Sequence, residues 1–119
     1  MLFTGNKFHC FYLGRHNIDV TRTVGSSFAP SWDLLKAYKA GTIDWAGYEV
    51  RYRKEMRALY ATAPRKFEEL VDYCVDHDVI LVCYEDTPKD GTSEDDIKCH
   101  RRLLADMLRK CAAKRGLTI

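Results

Sequence analysis

The sequence predicts an α/β fold: a single compact layered domain over residues 1–119, with a small, mostly parallel sheet flanked by about four helices. Three observations predict it. The run at 79–84, "VILVCY", is apolar at every position, as in a central parallel strand covered by helices on both faces. Three stretches carry apolar residues along one helical side, as helices packed on a core do, and a fourth, shorter one is bracketed by helix-capping residues. Strand-like and helix-like stretches share the chain with no linker, repeat or low-complexity segment between them.

Each element has its own signal. "FHCFYL" at 8–13 is aromatic-rich and reads as a strand. "GRHN" is a turn cluster, and "IDVTRT" at 18–23 is β-branched and alternating, a second strand. "VGSSFAP" is a loop. "SWDLLKAYKAG" is a short helix that Ser31 caps and Gly41 closes. A second helix begins near Thr42, with a stripe of Trp45, Tyr48, Tyr52, Met56, Leu59 and Tyr60. At that spacing the aromatic residues belong to the core; a base-stacking role for the first three needs one turn to face a site. The third helix has Thr62 as cap, Pro64 in its first turn and a face of Phe67, Leu70, Val71, Cys74 and Val75. After the strand at 79–84 comes a polar loop, 86–98, and then a helix carrying Leu103, Leu104, Met107, Leu108 and Cys111 on one side.

Composition narrows the function. With 119 residues the chain is long enough for one core. Its 19 basic residues face 17 acidic ones, and that +2 balance argues against binding extended nucleic acid. A small anion, which needs only a local cluster, remains compatible. The longest apolar run is far shorter than the ~20 residues that cross a bilayer, and the N-terminus does not read as a signal peptide. The five cysteines are odd in number and irregular in spacing, so no disulfide framework is expected, and the reading is cytoplasmic with reduced thiols. No C-x-x-C occurs, and adjacent Cys99 and His100 make an awkward ligand pair, so no metal is expected from Cys83, Glu85, Cys99 and His100. No other cofactor is expected. Dinucleotide, P-loop, phosphatase-loop and G-x-S-x-G patterns are all missing.

What remains is the end of the 79–84 strand and the start of the last helix. Ligands of open α/β sheets sit outside the carboxyl ends of the strands. Arg22, Glu85 and the Cys99 neighbourhood would meet there. If the last helix starts near Cys99, its amide end and Arg22, Arg101 and Arg102 suit a phosphate or carboxylate. A start at Ser93, which has a capping-box pattern with three acids behind it, would remove that argument. Cys83 in a buried strand reads as core, as do Cys74 and Cys111; Cys99, His100 and Glu85 divide between packing and chemistry.

"VILVCYED…CHRRLLADML" resembles the signature of the prokaryotic family catalogued as domain of unknown function 488, in which a strand ends in a Cys-x-Glu pattern and Cys-His-Arg opens the last helix. "APSWDLLKAYKAGTIDWAGYEVRYRKEM" resembles the middle of its shorter members. The likeness covers roughly residues 18–108. It implies an α/β fold and marks Cys83, Glu85, Cys99, His100 and Arg101 as motif positions, with Arg22 as a further match. The 13 residues between Glu85 and Cys99 exceed the usual gap and read as a lid or a changed site.

The leading expectation is a domain that binds a small anionic metabolite, a nucleotide or nucleotide-derived signal, without turnover; a phage-type signal-sequestering protein is one form of it. Arg22, Tyr84, Cys83, Glu85, Cys99, His100, Arg101 and Arg102 would line the site. The alternative is an enzyme cleaving a nucleotide or N-glycosidic bond, with Cys99 as nucleophile and His100 or Glu85 as base. A second alternative is a protein–protein module using the aromatic helix, and an oligomer is compatible with each.

Overall fold

The computed structural model of the chain describes residues 1–6, 16–22, 25–83 and 98–119. Three strands, β1 (Leu2–Asn6), β2 (His16–Asp19) and β3 (Val79–Cys83), form one sheet in the order β1–β3–β2, and both pairings are parallel. Four helices accompany it: α1 (Trp32–Lys39), α2 (Trp45–Thr62), α3 (Pro64–Asp76) and α4 (His100–Lys114). The predicted fold class is the observed one. None of these helices is long and apolar enough to cross a membrane.

β3 is buried at all five positions, which explains its unbroken apolar run. Its side chains alternate between faces. Val79, Leu81 and Cys83 join the main core with the helices, while Ile80 and Val82 face the other side, against Phe3. Cys83 is therefore aimed at the helical layer by its place in the strand.

The strands begin and end differently from the sequence expectation. Residues 8–13, read there as the first strand, lie outside the described residues, and β1 occupies 2–6 instead. Gly5 and Asn6 give that segment little strand character of its own; its register, Leu2 opposite Val79 through Asn6 opposite Cys83, comes from the partner strand. β2 stops at Asp19, four residues before the expected end. The Asp19 carboxylate accepts both the Thr21 amide (2.9 Å) and the Thr21 hydroxyl (2.6 Å). That local ring turns the chain out of the strand.

The helices follow their capping residues. Ser31 caps α1 by accepting from the Leu34 amide at 3.2 Å, and Gly41 follows its last turn at φ 73°. α2 begins at Trp45 with Asp44 as its cap, three residues beyond the expected start near Thr42. α3 starts at Pro64 after Ala63, because Thr62 is still the last residue of α2. Phe67, Leu70, Val71 and Cys74 are buried as expected, but Val75 is exposed, since the core-facing stripe is narrower than five positions.

Ser31 also ties α1 to α2. The Glu55 carboxylate accepts the Ser31 amide (2.8 Å) and the Ser31 hydroxyl (2.6 Å). Ser31→Ala removes the cap and one of these bonds together. The expected loss is about 1–2 kcal/mol, read as a lower urea midpoint at unchanged slope.

Candidate functional site

α4 begins at His100 with Cys99 as its N-cap, in extended conformation. This places Cys99 beside the end of β3. The sulfurs of Cys83 and Cys99 are in direct contact. Their Cα atoms are 7.9 Å apart, wider than the roughly 4.4–6.8 Å of ordinary disulfides, so the pair is two facing sulfurs. The sequence reading foresaw no cysteine pair; a strand end and a helix cap separated by 16 positions leave no spacing signal.

His100 is fixed by its ring. Its Nε2 lies 2.7 Å from the Val20 carbonyl oxygen, and a carbonyl only accepts, so Nε2 carries the proton. Burial, chiefly, pushes the His100 pKa down from 6.5 to about 4; the Val20 carbonyl opposes the shift, the Arg101 charge adds to it, and Asp19 opposes it. The neutral ring then has a bare Nδ1, which sits 3.7 Å from Cys99 Sγ and is placed to accept from its S–H. Behind it, the Tyr52 ring lies 5.7 Å away, and its hydroxyl donates to the Phe28 carbonyl at 2.7 Å. Burial raises the Tyr52 pKa well above 10, so that hydroxyl stays protonated.

Arg101 points into the protein. Its Nη1 donates to Cys83 Sγ at 3.1 Å, and the residue is fully buried. A buried guanidinium demands a counter-charge or a set of acceptors, and the Cys83 sulfur is one of the groups it reaches. Cys83, Cys99 and Arg101 are 0% exposed and His100 is 2% exposed. The cluster is shut off from solvent.

The other candidates fall elsewhere. Arg102 reaches the opposite edge of the sheet, with Nη1 3.4 Å from Thr4 Oγ1 of β1. Arg22 is half-buried just after β2, with Nη2 3.4 Å from the Ser26 carbonyl. The three arginines expected around one anion therefore point to three places. Tyr84, Glu85, Ser93 and the loop to residue 97 lie outside the described residues. Trp45 is half-buried in a stack with Tyr38 and Tyr48, and Tyr48 and Tyr52 are fully buried. The sequence reading missed the Val20 carbonyl and gave Tyr52 no place beside His100; the stripe on α2 was the available signal.

A metal is chemically conceivable at this cluster. One ligand atom each from Cys83, Cys99 and His100 lies within 4.8 Å of the others. The Cys99–His100 separation of 3.7 Å is close to the roughly 3.5 Å set by tetrahedral zinc bond lengths, so neighbouring residues do converge here, against the sequence expectation. A structural zinc wants four ligands, and this group supplies three among the described residues. Arg101 already occupies Cys83 with a fixed positive charge, which opposes a dication on the same sulfur.

Burial orders the thiols by reactivity. Cys111 is half-buried, Cys74 is buried with its pKa raised to about 11 by burial, and the Cys83–Cys99 pair is sealed. Among the cysteines of the described residues, Cys111 should label first with a haloacetamide, the pair should label slowly at a rate set by local opening, and Cys74 only on unfolding. Peptide mass mapping over time checks this order.

No curated protein and no solved structure gives a significant match to the chain. One family model does match, described as the active DUF488-N3 subclade, over residues 15–112. That span holds most of the chain and all of the sulfur–imidazole–guanidinium cluster, and the chain belongs to the DUF488 family.

Proposed function

We propose that the β3–α4 junction is a thiol-dependent catalytic centre acting on a small anionic substrate. The observation that carries this reading is the Arg101 guanidinium 3.1 Å from Cys83 Sγ, with the second thiol and a neutral imidazole alongside. The subclade's description as active agrees with retained chemistry. Nucleotides and N-glycosides are the substrate classes the chemistry suits, because the guanidinium and the amide end of α4 favour anions.

In this proposal the roles divide differently from the sequence reading, which gave Cys99 the attack. Arg101 favours ionised Cys83, so Cys83 is the nucleophile. His100 holds no spare proton at neutral pH, so the proton available is that of Cys99. Cys83 sulfur forms a bond to the substrate carbon as the leaving group departs with the Cys99 proton. Water then displaces the Cys83 sulfur and returns a proton to Cys99. His100 orients the Cys99 S–H and is a positioning residue. Entry of substrate requires the sealed cluster to open.

The test incubates wild type, Cys83→Ala and Cys99→Ala with a nucleotide extract and reads the extract by mass spectrometry. New products with wild type and none with either variant, with a covalent adduct on Cys83 in a rapid quench, is the expected result. Release of one intact ligand per chain with no product would make this a binding domain. One zinc per chain in wild type, lost in Cys99→Ala, would assign the cluster to a metal. Either outcome overturns the thiol mechanism.

A further inference from the structure

Away from the sulfur cluster, the helices enclose a cavity of about 540 Å³. It opens between the second half of α2, the start of α3 and the second half of α4. Cys111 in its wall lies eleven residues along α4 from His100, about 16 Å at the helical rise, so the two sites are separate. Its volume is within the roughly 300–1,000 Å³ typical of small-molecule pockets.

The lining has two characters. Phe67, Val71 and Met107 supply an apolar floor. Arg53 and Arg57 stand one turn apart on α2, and Lys110 and Lys114 one turn apart on α4, so two cationic ladders line the cavity. Arg115 adds a fifth cation, and Glu68 is the one acid in the lining among the described residues.

Some of this charge is used in holding the helices together. Asp106 accepts from Arg53 at 3.1 Å and pairs with Lys110 at 3.4 Å, and Asp72 pairs with Arg115 at 2.8 Å. Arg57 and Lys114 make no ion pair among the described residues. An apolar floor below two unneutralised cations matches a ligand with an apolar body and one anionic head. A neutral ligand would leave the cations unused, and a bare inorganic anion would leave the floor uncovered.

We infer that this cavity is a second binding site, for a small organic anion with an apolar body, independent of the thiol chemistry. Anilinonaphthalene sulfonate has that chemistry and is the probe. It should bind saturably at one per chain, with fluorescence enhancement. Raised salt should weaken it. The double change Arg57→Ala with Lys114→Ala should weaken it by about tenfold or more, through loss of two charge-assisted contacts. Lys39→Ala, on α1, should leave it unchanged. Bound probe should also protect Cys111 from a haloacetamide in the unaltered protein, a readout that needs no variant to fold. Several weak sites per chain, equal affinity in the double variant, or an unprotected Cys111 at saturation would each overturn the inference.

Discussion

Arg101→Ala is expected to destabilise the protein more than any other single change in the cluster, by about 3–5 kcal/mol. The cause is twofold. The substitution deletes one of the largest fully buried side chains, leaving a void in a core that packs β3 against α4. It also removes the donor that reaches Cys83 Sγ at 3.1 Å, a charge-assisted contact inside the core. Arg101→Met separates these effects, because it keeps most of the volume and drops the charge. Urea unfolding of Arg101→Met, Cys83→Ala and the double variant gives the coupling between the two groups. A coupling above about 1 kcal/mol is expected for a buried charge-assisted contact; a value near zero would make Arg101 a space-filler.

The second large effect is on acid stability, and His100 sets its direction. The folded protein takes up a proton on His100 only near pH 4, whereas the unfolded chain takes one up near pH 6.5. Between those values the unfolded state binds more protons. Stability from keeping this ring neutral is therefore complete above pH 6.5 and falls as the solution is acidified towards pH 4. The fall approaches about 1.4 kcal/mol per pH unit, on the order of 3 kcal/mol in total. His100→Gln keeps a donor for the Val20 carbonyl and has no titratable ring, so its melting temperature should vary less over that range. Parallel curves for the two proteins would contradict the account.

Much of this architecture was legible because local signals and tertiary packing agreed. The all-apolar β3 run meant a strand buried on both faces, and Ser31 and Gly41 marked the ends of α1 through ordinary capping chemistry. Of the two helix starts the sequence offered, near Cys99 or at Ser93, α4 uses the first, with Cys99 as its cap. Other features were hidden because they are not local. β1 is weak as a sequence and exists through its register with β3. The meeting of Cys83 with Cys99 depends on which face of β3 looks towards α4, and the stop at Asp19 depends on one side chain bonding back to its own chain. Arginine at 101 read as a cation facing an anionic ligand and is instead fully buried against Cys83, while the cationic ladders at Arg53–Arg57 and Lys110–Lys114 were not read at all, because they gain meaning only where α2 and α4 come together.

The central claim is that Cys83 is held as a thiolate beside Arg101. The most direct measurement is the far-ultraviolet thiolate absorbance of wild type minus Cys83→Ser, followed against pH. The account expects a difference corresponding to one thiolate per chain at neutral pH, persisting well below the value of about 8.5 at which a free cysteine ionises, and absent when Arg101→Met is introduced into both. A difference that develops only above that value, with or without Arg101, would mean an ordinary buried thiol and would remove the basis for the proposed chemistry.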